Sequence, residues 1–294
     1  MSDSTKTVSP LRQRMMEDMH MRKLSPKTQK SYLRHVATLG EFPGHSPHKA
    51  TAEDLRRYQL HMVDSGKASS NINAQLSGLR FFFEVTLEDA NRLKRIKRVQ
   101  QPRKIPEILS SEEVTRLIEA VDSPKYQAVL SVAYGAGLRR NEVVHLKVSD
   151  IDSDRMIIRV EQGKGSKDRN AMLSPTLLTM LRSWYRYARV NNGILPGGWL
   201  FPGLNPIHPM TARQLNRVFH SARDAAGIRK GVTLHSLRHA FATHLLESGV
   251  DIRVIQVLLG HEKLTTTERY SQVATKTLRE VVGPLEKLGL QFDR

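Results

Sequence analysis

A chain of 294 residues with 39% hydrophobic content can bury one large core or two ordinary ones, and its polar start carries no signal-peptide pattern. Its 46 Lys+Arg outnumber 29 Asp+Glu for a formal charge of +17, an excess that solubility does not need and that is the usual footprint of a nucleic-acid partner. With no cysteine, disulfides, thiolate metal sites and thiol nucleophiles are excluded, and no apolar run reaches the ~18–20 residues of a membrane span, so a soluble cytoplasmic protein is expected.

In chain order, a disordered start over 1–9 is expected to give way to a helical, DNA-binding domain over 10–90. Ser25-Pro26 sets a cap before a proline at the first helical position, and Tyr32, Leu33, Val36 and Leu39 follow at helical spacing. Thr51 and Asp54 approximate a capping box ahead of Leu55 and Leu60. A third helix is expected over 69–85, with Ile72, Leu76, Leu79 and Phe83 on one face. Three or four such short helices make a small bundle. A basic linker over 91–105 follows, carrying Arg92, Lys94, Arg95, Lys97, Arg98, Arg103 and Lys104 and no acid. A solvated connector explains its polarity, but not its one-sided sign. Phosphate contact explains both, with two domains gripping opposite faces of double-stranded DNA.

The second domain is expected over 106–294. Ser110-Ser111-Glu112-Glu113 is a capping box before Leu117, Ile118 and Val121, and Ser123-Pro124 opens a helix that Gly135 and Gly137 break. The β-branched stretch 156–160, the Gly163-Lys164-Gly165 turn and a second extended stretch through Leu173 read as a β-hairpin. The rest is helical, from Ser174-Pro175 into Leu177, Leu178, Leu181 and Trp184, then Leu215, Val218, Phe219 and Ala222 up to Gly227. The fold class is mainly α with a small β-sheet.

The densest chemistry lies in Leu234-His235-Ser236-Leu237-Arg238-His239. On a helix, His235 and Arg238 project to one side while Leu237, Phe241 and Leu245 form an opposite apolar stripe. A further helix, Ile252 to Leu259, stops at Gly260, His261 sits just past the stop, and Tyr270 follows in a polar segment. Zinc spacing of the H-E-x-x-H kind is missing, as are a P-loop and a serine-hydrolase elbow, so no metal or cofactor is expected.

These runs, with Gly137-Leu138-Arg139-Arg140-Asn141-Glu142 and the Lys164 turn, resemble the signatures of the tyrosine recombinases, or phage-type integrases, in order and spacing over roughly 105–285. The first third resembles the family's SAM-like core-binding domain more weakly. The compact Xer-type and transposon-borne branches of mobile elements are the most similar, because 71 positions from Lys164 to His235 leave little room for the segment that integron integrases insert. The resemblance implies DNA strand exchange through a covalent 3′-phosphotyrosine at Tyr270 and a Holliday junction, without cofactor. Arg139, Lys164, His235, Arg238 and His261 would surround the phosphate, with Glu142 in support. Paired arginines suit the charge on a phosphodiester under attack, and a lysine suits a leaving 5′-oxygen. The resemblance further implies a homotetramer on paired sites, leaves room for an accessory recombination protein, and suggests that the tail from about 275 (Leu278, Val281, Val282, Leu285, Leu288) docks on a neighbouring subunit rather than its own domain. A type IB topoisomerase, which shares this chemistry, and a non-catalytic DNA-binding module are the rival readings.

Overall fold

The computed structural model describes residues 9–42, 44–101, 107–161, 168–191, 193–260 and 281–289. The chain divides into two compact units at 104/105.

In the first unit, α1 (Pro10–Met21), α2 (Pro26–Glu41), α3 (Ala52–Asp64) and α4 (Ser69–Phe81) pack around one core, with α4 running into a π-helical turn, Phe82–Thr86. The local signals act as expected. Ser25 Oγ accepts the Thr28 amide, and Thr51 and Asp54 close a reciprocal box, each side chain accepting the other's backbone N–H. Helix α1 opens the helical domain at its expected start, although no span for it is legible in the sequence. It buries only Met15 and Met19, a stripe one turn long that leaves almost no periodicity to read.

The segment expected as a connector packs onto this unit through Val99. Leu93 and Ile96 are buried in its core, the Asn73 amide bonds Val99 in both directions, and Gln59 donates to the Lys97 carbonyl. Apolar residues three apart on a tight turn point inward, so Lys94, Arg95, Lys97 and Arg98 are left on the outside.

The second unit is built around α6 (Pro124–Gly135), in which every residue from Ala128 on is buried, as expected of a helix apolar on all sides. Around it lie α5 (Ser111–Glu119), with its Ser110–Glu113 box, α8 (Pro175–Val190) and α10 (Leu234–Glu247). The short α7 (Arg140–Val144) and α9 (Ala212–Ala225) pack together, and α11 (Ile252–Leu259) lies against α10. Strands β1 (Ile151–Asp152), β2 (Ile157–Val160) and β3 (Arg169–Met172) form an antiparallel sheet in that order, with Val160 opposite Arg169 and Ile157 opposite Met172. The hairpin is as expected; β1, two residues long, adds an edge that its length hides from pattern reading.

Residues 281–289 lie on their own unit: Leu285 is fully buried beside Gly135, and the Glu286 carboxylate accepts both the amide and the hydroxyl of Thr176 at the start of α8. A buried leucine and a carboxylate at a helix N-terminus fix this segment in place. No helix among the described residues is long and apolar enough to cross a membrane.

Candidate active site

The site begins at two glycines. Gly137 has φ +58°, and a Cβ there would lie 2.5 Å from the Phe241 ring; Gly260 has φ +62°, and a Cβ there would lie 2.5 Å from Cδ of Arg169. Only glycine tolerates both the left-handed backbone and the close approach. The first turns the chain out of α6 toward α7, and the second ends α11. Both bring backbone carbonyls up against guanidinium groups.

Arg139 stands at the N-cap of α7, extended, with its side chain a quarter exposed. Glu142, one turn on, accepts the Arg139 amide and its Nη1 at 2.8 Å each, and Arg139 Nη2 donates to the Gly260 carbonyl at 3.2 Å. Arg238 was anticipated on the exposed side of α10. It is instead 3% exposed, donating from Nη1 to the Gly137 carbonyl at 2.7 Å and from Nη2 to the Leu259 carbonyl at 2.5 Å. The carbonyls closing α11 have no partners within the helix and carry its negative end, so they attract cations. Both arginines therefore converge on one helix terminus.

Burial, then the positive charges of Arg139 and Arg169, press the Arg238 pKa down to about 9, with Glu142 pulling the other way. That lies well above neutral pH, so the guanidinium stays charged. His235 is exposed on α10 and lines an open cleft of about 1020 Å³ together with Arg139 and Glu142. Its ring meets that of His239 edge-on, with centroids 4.5 Å apart. Arg140, Lys147 and Arg159 also line the cleft, Lys147 paired with Glu161 and Arg159 with Asp152. His244 bonds the hydroxyl of the buried Tyr134, a packing role for both.

The structure thus brings Arg139, Glu142, His235 and Arg238 into one region. Lys164, His261, Tyr270, Arg103 and Lys104 lie outside the described residues. Lys94, Arg95, Lys97 and Arg98 are exposed on the first unit, whereas Arg92 is half-buried, its Nε on Asp89 and its Nη1 on the carbonyls of His48 and Ala50. Among the described residues, no three His, Cys, Asp or Glu are gathered as metal ligands. Sequence reasoning passed over Arg169, which donates to Glu142 at 2.8 Å from the start of β3. A signal was available: Arg169 alternates with buried Ala171, so it occupies an inward strand position where an arginine needs an acid.

The profile of the Phage integrase family matches residues 107–277, well over half of the chain, and that of the phage integrase N-terminal SAM-like domain matches residues 11–92. The chain belongs to the phage integrase family. The y4qK protein of Sinorhizobium fredii is 46% identical to this integrase over 283 residues, covering 96% of this chain and 90% of that one. Tyrosine recombinase XerA of Pyrococcus horikoshii is 33% identical over 239 residues, 81% of each chain. A lambda integrase tetramer bound to a Holliday junction has the same fold, with a TM-score of 0.69 at 20% identity over 100% of this chain and 81% of that one. The integrase is a tyrosine recombinase, an enzyme of DNA recombination.

Proposed function

We propose that the integrase exchanges strands between two DNA duplexes by attack of Tyr270 on a phosphodiester, and that Arg139 and Arg238 hold the non-bridging oxygens. The observation that carries this reading is the convergence of those two guanidinium groups, from distant parts of the chain, on the carbonyl end of α11. Preorganised cations of this kind stabilise the charge that develops at phosphorus, typically by several kcal/mol. They also favour ionisation of a nearby phenol, whose ordinary pKa is about 10.

In the proposed step the Tyr270 oxygen forms a bond to phosphorus and its proton passes to His235. The bond to the 5′-oxygen breaks, and Lys164 protonates that leaving group. His261 donates to the phosphate, and Glu142 orients Arg139. The product is a 3′-phosphotyrosine, one ester in place of another, so the reverse attack by a 5′-hydroxyl rejoins strands without an energy source. Four protomers would act on paired sites through a Holliday junction, the assembly in which the lambda enzyme was solved. Lys94, Arg95, Lys97 and Arg98 contact phosphates, with Arg103 and Lys104 as further contacts; Arg92 is left out because its donors are engaged within its own unit.

The test uses nicked duplexes tiled from the DNA flanking the integrase's own gene, which trap the covalent complex once the short strand diffuses away. Wild type should give a protein–DNA adduct and Tyr270→Phe none. Supercoil relaxation without recombinant product would instead favour a topoisomerase.

A further inference from the structure

The carboxylate of Glu142 sits between two arginines. Arg139 reaches it through Nη1 and the backbone amide, and Arg169 reaches it through Nη2, all at 2.8 Å. The Glu142 side chain is 6% exposed and that of Arg169 is 12% exposed, whereas Arg139 is open enough to meet a ligand. A buried carboxylate with only one partner would pull Arg139 fully into the pair. A second arginine behind it divides that attraction and fixes the carboxylate plane, so that Arg139 Nη2 stays on the Gly260 carbonyl at the mouth of the site. The stem of Arg169 lies against Gly260 itself, which has no room for a Cβ. Arg169 therefore touches both anchors of Arg139, its carboxylate and the residue bearing its carbonyl. Burial and the charge of Arg139 lower the pKa of Arg169 while Glu142 raises it, an energetic expense with no packing reason when a neutral side chain would fill the space.

We infer that Arg169 is a positioning residue for strand cleavage: by clamping Glu142 and bracing Gly260 from the strand side, it sets the Arg139 guanidinium for the scissile phosphate. This inference rests on the recombinase reading above and adds to it a residue that never touches DNA.

The experiment compares single-turnover adduct formation on the nicked substrate for the full-length wild type, Arg169→Met, Arg169→Lys, Glu142→Gln and the Arg169→Met/Glu142→Gln double variant, with DNA affinity and melting temperature measured alongside. Displacing Arg139 by about 1 Å should slow cleavage by ~10²-fold in Arg169→Met. DNA affinity should stay within about threefold, since phosphate contacts elsewhere carry binding. Arg169→Lys, which keeps the charge but not the reach of Nη2 to Glu142, should fall between. The double variant should be no slower than the slower single, because both substitutions break one contact.

A substrate whose scissile phosphate is replaced by an uncharged methylphosphonate separates positioning from mere folding. If Arg169 acts through Arg139 on the phosphate's charge, the gap between wild type and variant should shrink there, whereas a folding defect would persist on both substrates. Should Arg169→Met fail to fold, Arg169→Lys carries the same comparison. Wild-type cleavage rates in a folded variant, additive losses, or an equal defect on both substrates would overturn the inference. No adduct with wild type would sink the recombinase reading itself.

Discussion

The two units of the integrase both carry positive charge, and they use it in opposite ways. In the first unit the basic residues of 94–98 stand outside, while Leu93 and Ile96 turn inward to anchor them. In the second, Arg169 and Arg238 are drawn into the protein, held by a carboxylate and by backbone carbonyls. Outward charges are screened, interchangeable and suited to the DNA backbone in general. Inward charges have fixed directions, and in the proposed reaction they hold or brace the groups that meet one phosphate. Binding and chemistry should therefore separate under mutation.

The largest effect is expected at Arg238. Replacing it with Met removes a cation and leaves the Gly137 and Leu259 carbonyls unsatisfied, at about 1–3 kcal/mol for each buried group. Cleavage should fall by ~10²–10³-fold, the range seen when one preorganised charge donor is lost. Melting temperature should drop as well. A variant that cleaves normally would show that the inward charges are structural only.

Next in size is Gly260→Ala. The left-handed backbone alone costs about 1 kcal/mol for alanine, and the new methyl would press on Arg169 at 2.5 Å. Cleavage should slow by about tenfold, with little change in DNA affinity. If affinity falls and the cleavage rate holds, the terminus of α11 belongs to binding and the separation breaks down.

What the sequence makes legible follows the same division. Caps and stripes are local, so Ser25, Thr51, Ser110 and the Leu237–Phe241–Leu245 face could be read directly, and each acts as read. The family-like motifs gave Arg139, Glu142, His235 and Arg238, which the fold gathers. Burial was harder. That Arg238 points inward depends on where Gly137 and Leu259 end up, and no spacing within α10 encodes it. Arg169 was missed because its partner Glu142 lies on α7, 27 positions earlier, a separation that no local spacing encodes. The expected linker was misjudged on composition: seven cations in one stretch outweighed the two apolar residues that fasten it.

That segment supplies the next prediction. Arg95→Gln should weaken DNA binding evenly across sequences and lower the log–log salt slope by about one, with cleavage at saturating DNA unchanged. Arg92→Gln should do the reverse: its guanidinium holds Asp89 and the His48 and Ala50 carbonyls, so stability should fall by about 1–2 kcal/mol and the salt slope should hold. Salt titrations and urea melts on the two variants decide it. Equal salt slopes for both would mean that burial does not sort this segment's charges into contacts and braces.

The smallest effect tests an outward charge whose role is wholly structural. Hydrogen bonds from the Thr51 amide and hydroxyl hold the Asp54 carboxyl below its ordinary pKa. A depressed folded pKa stabilises the ionised form, so this contribution is full above the unfolded value of about 3.9 and fades as pH falls through the lower folded value. Asp54→Asn keeps the shape but cannot ionise. Amide exchange in α3 should therefore be faster in the variant than in wild type at neutral pH, and the two should converge in acid. A gap that persists unchanged to about pH 2 would mean that the cap works through geometry alone and that its charge adds nothing to α3.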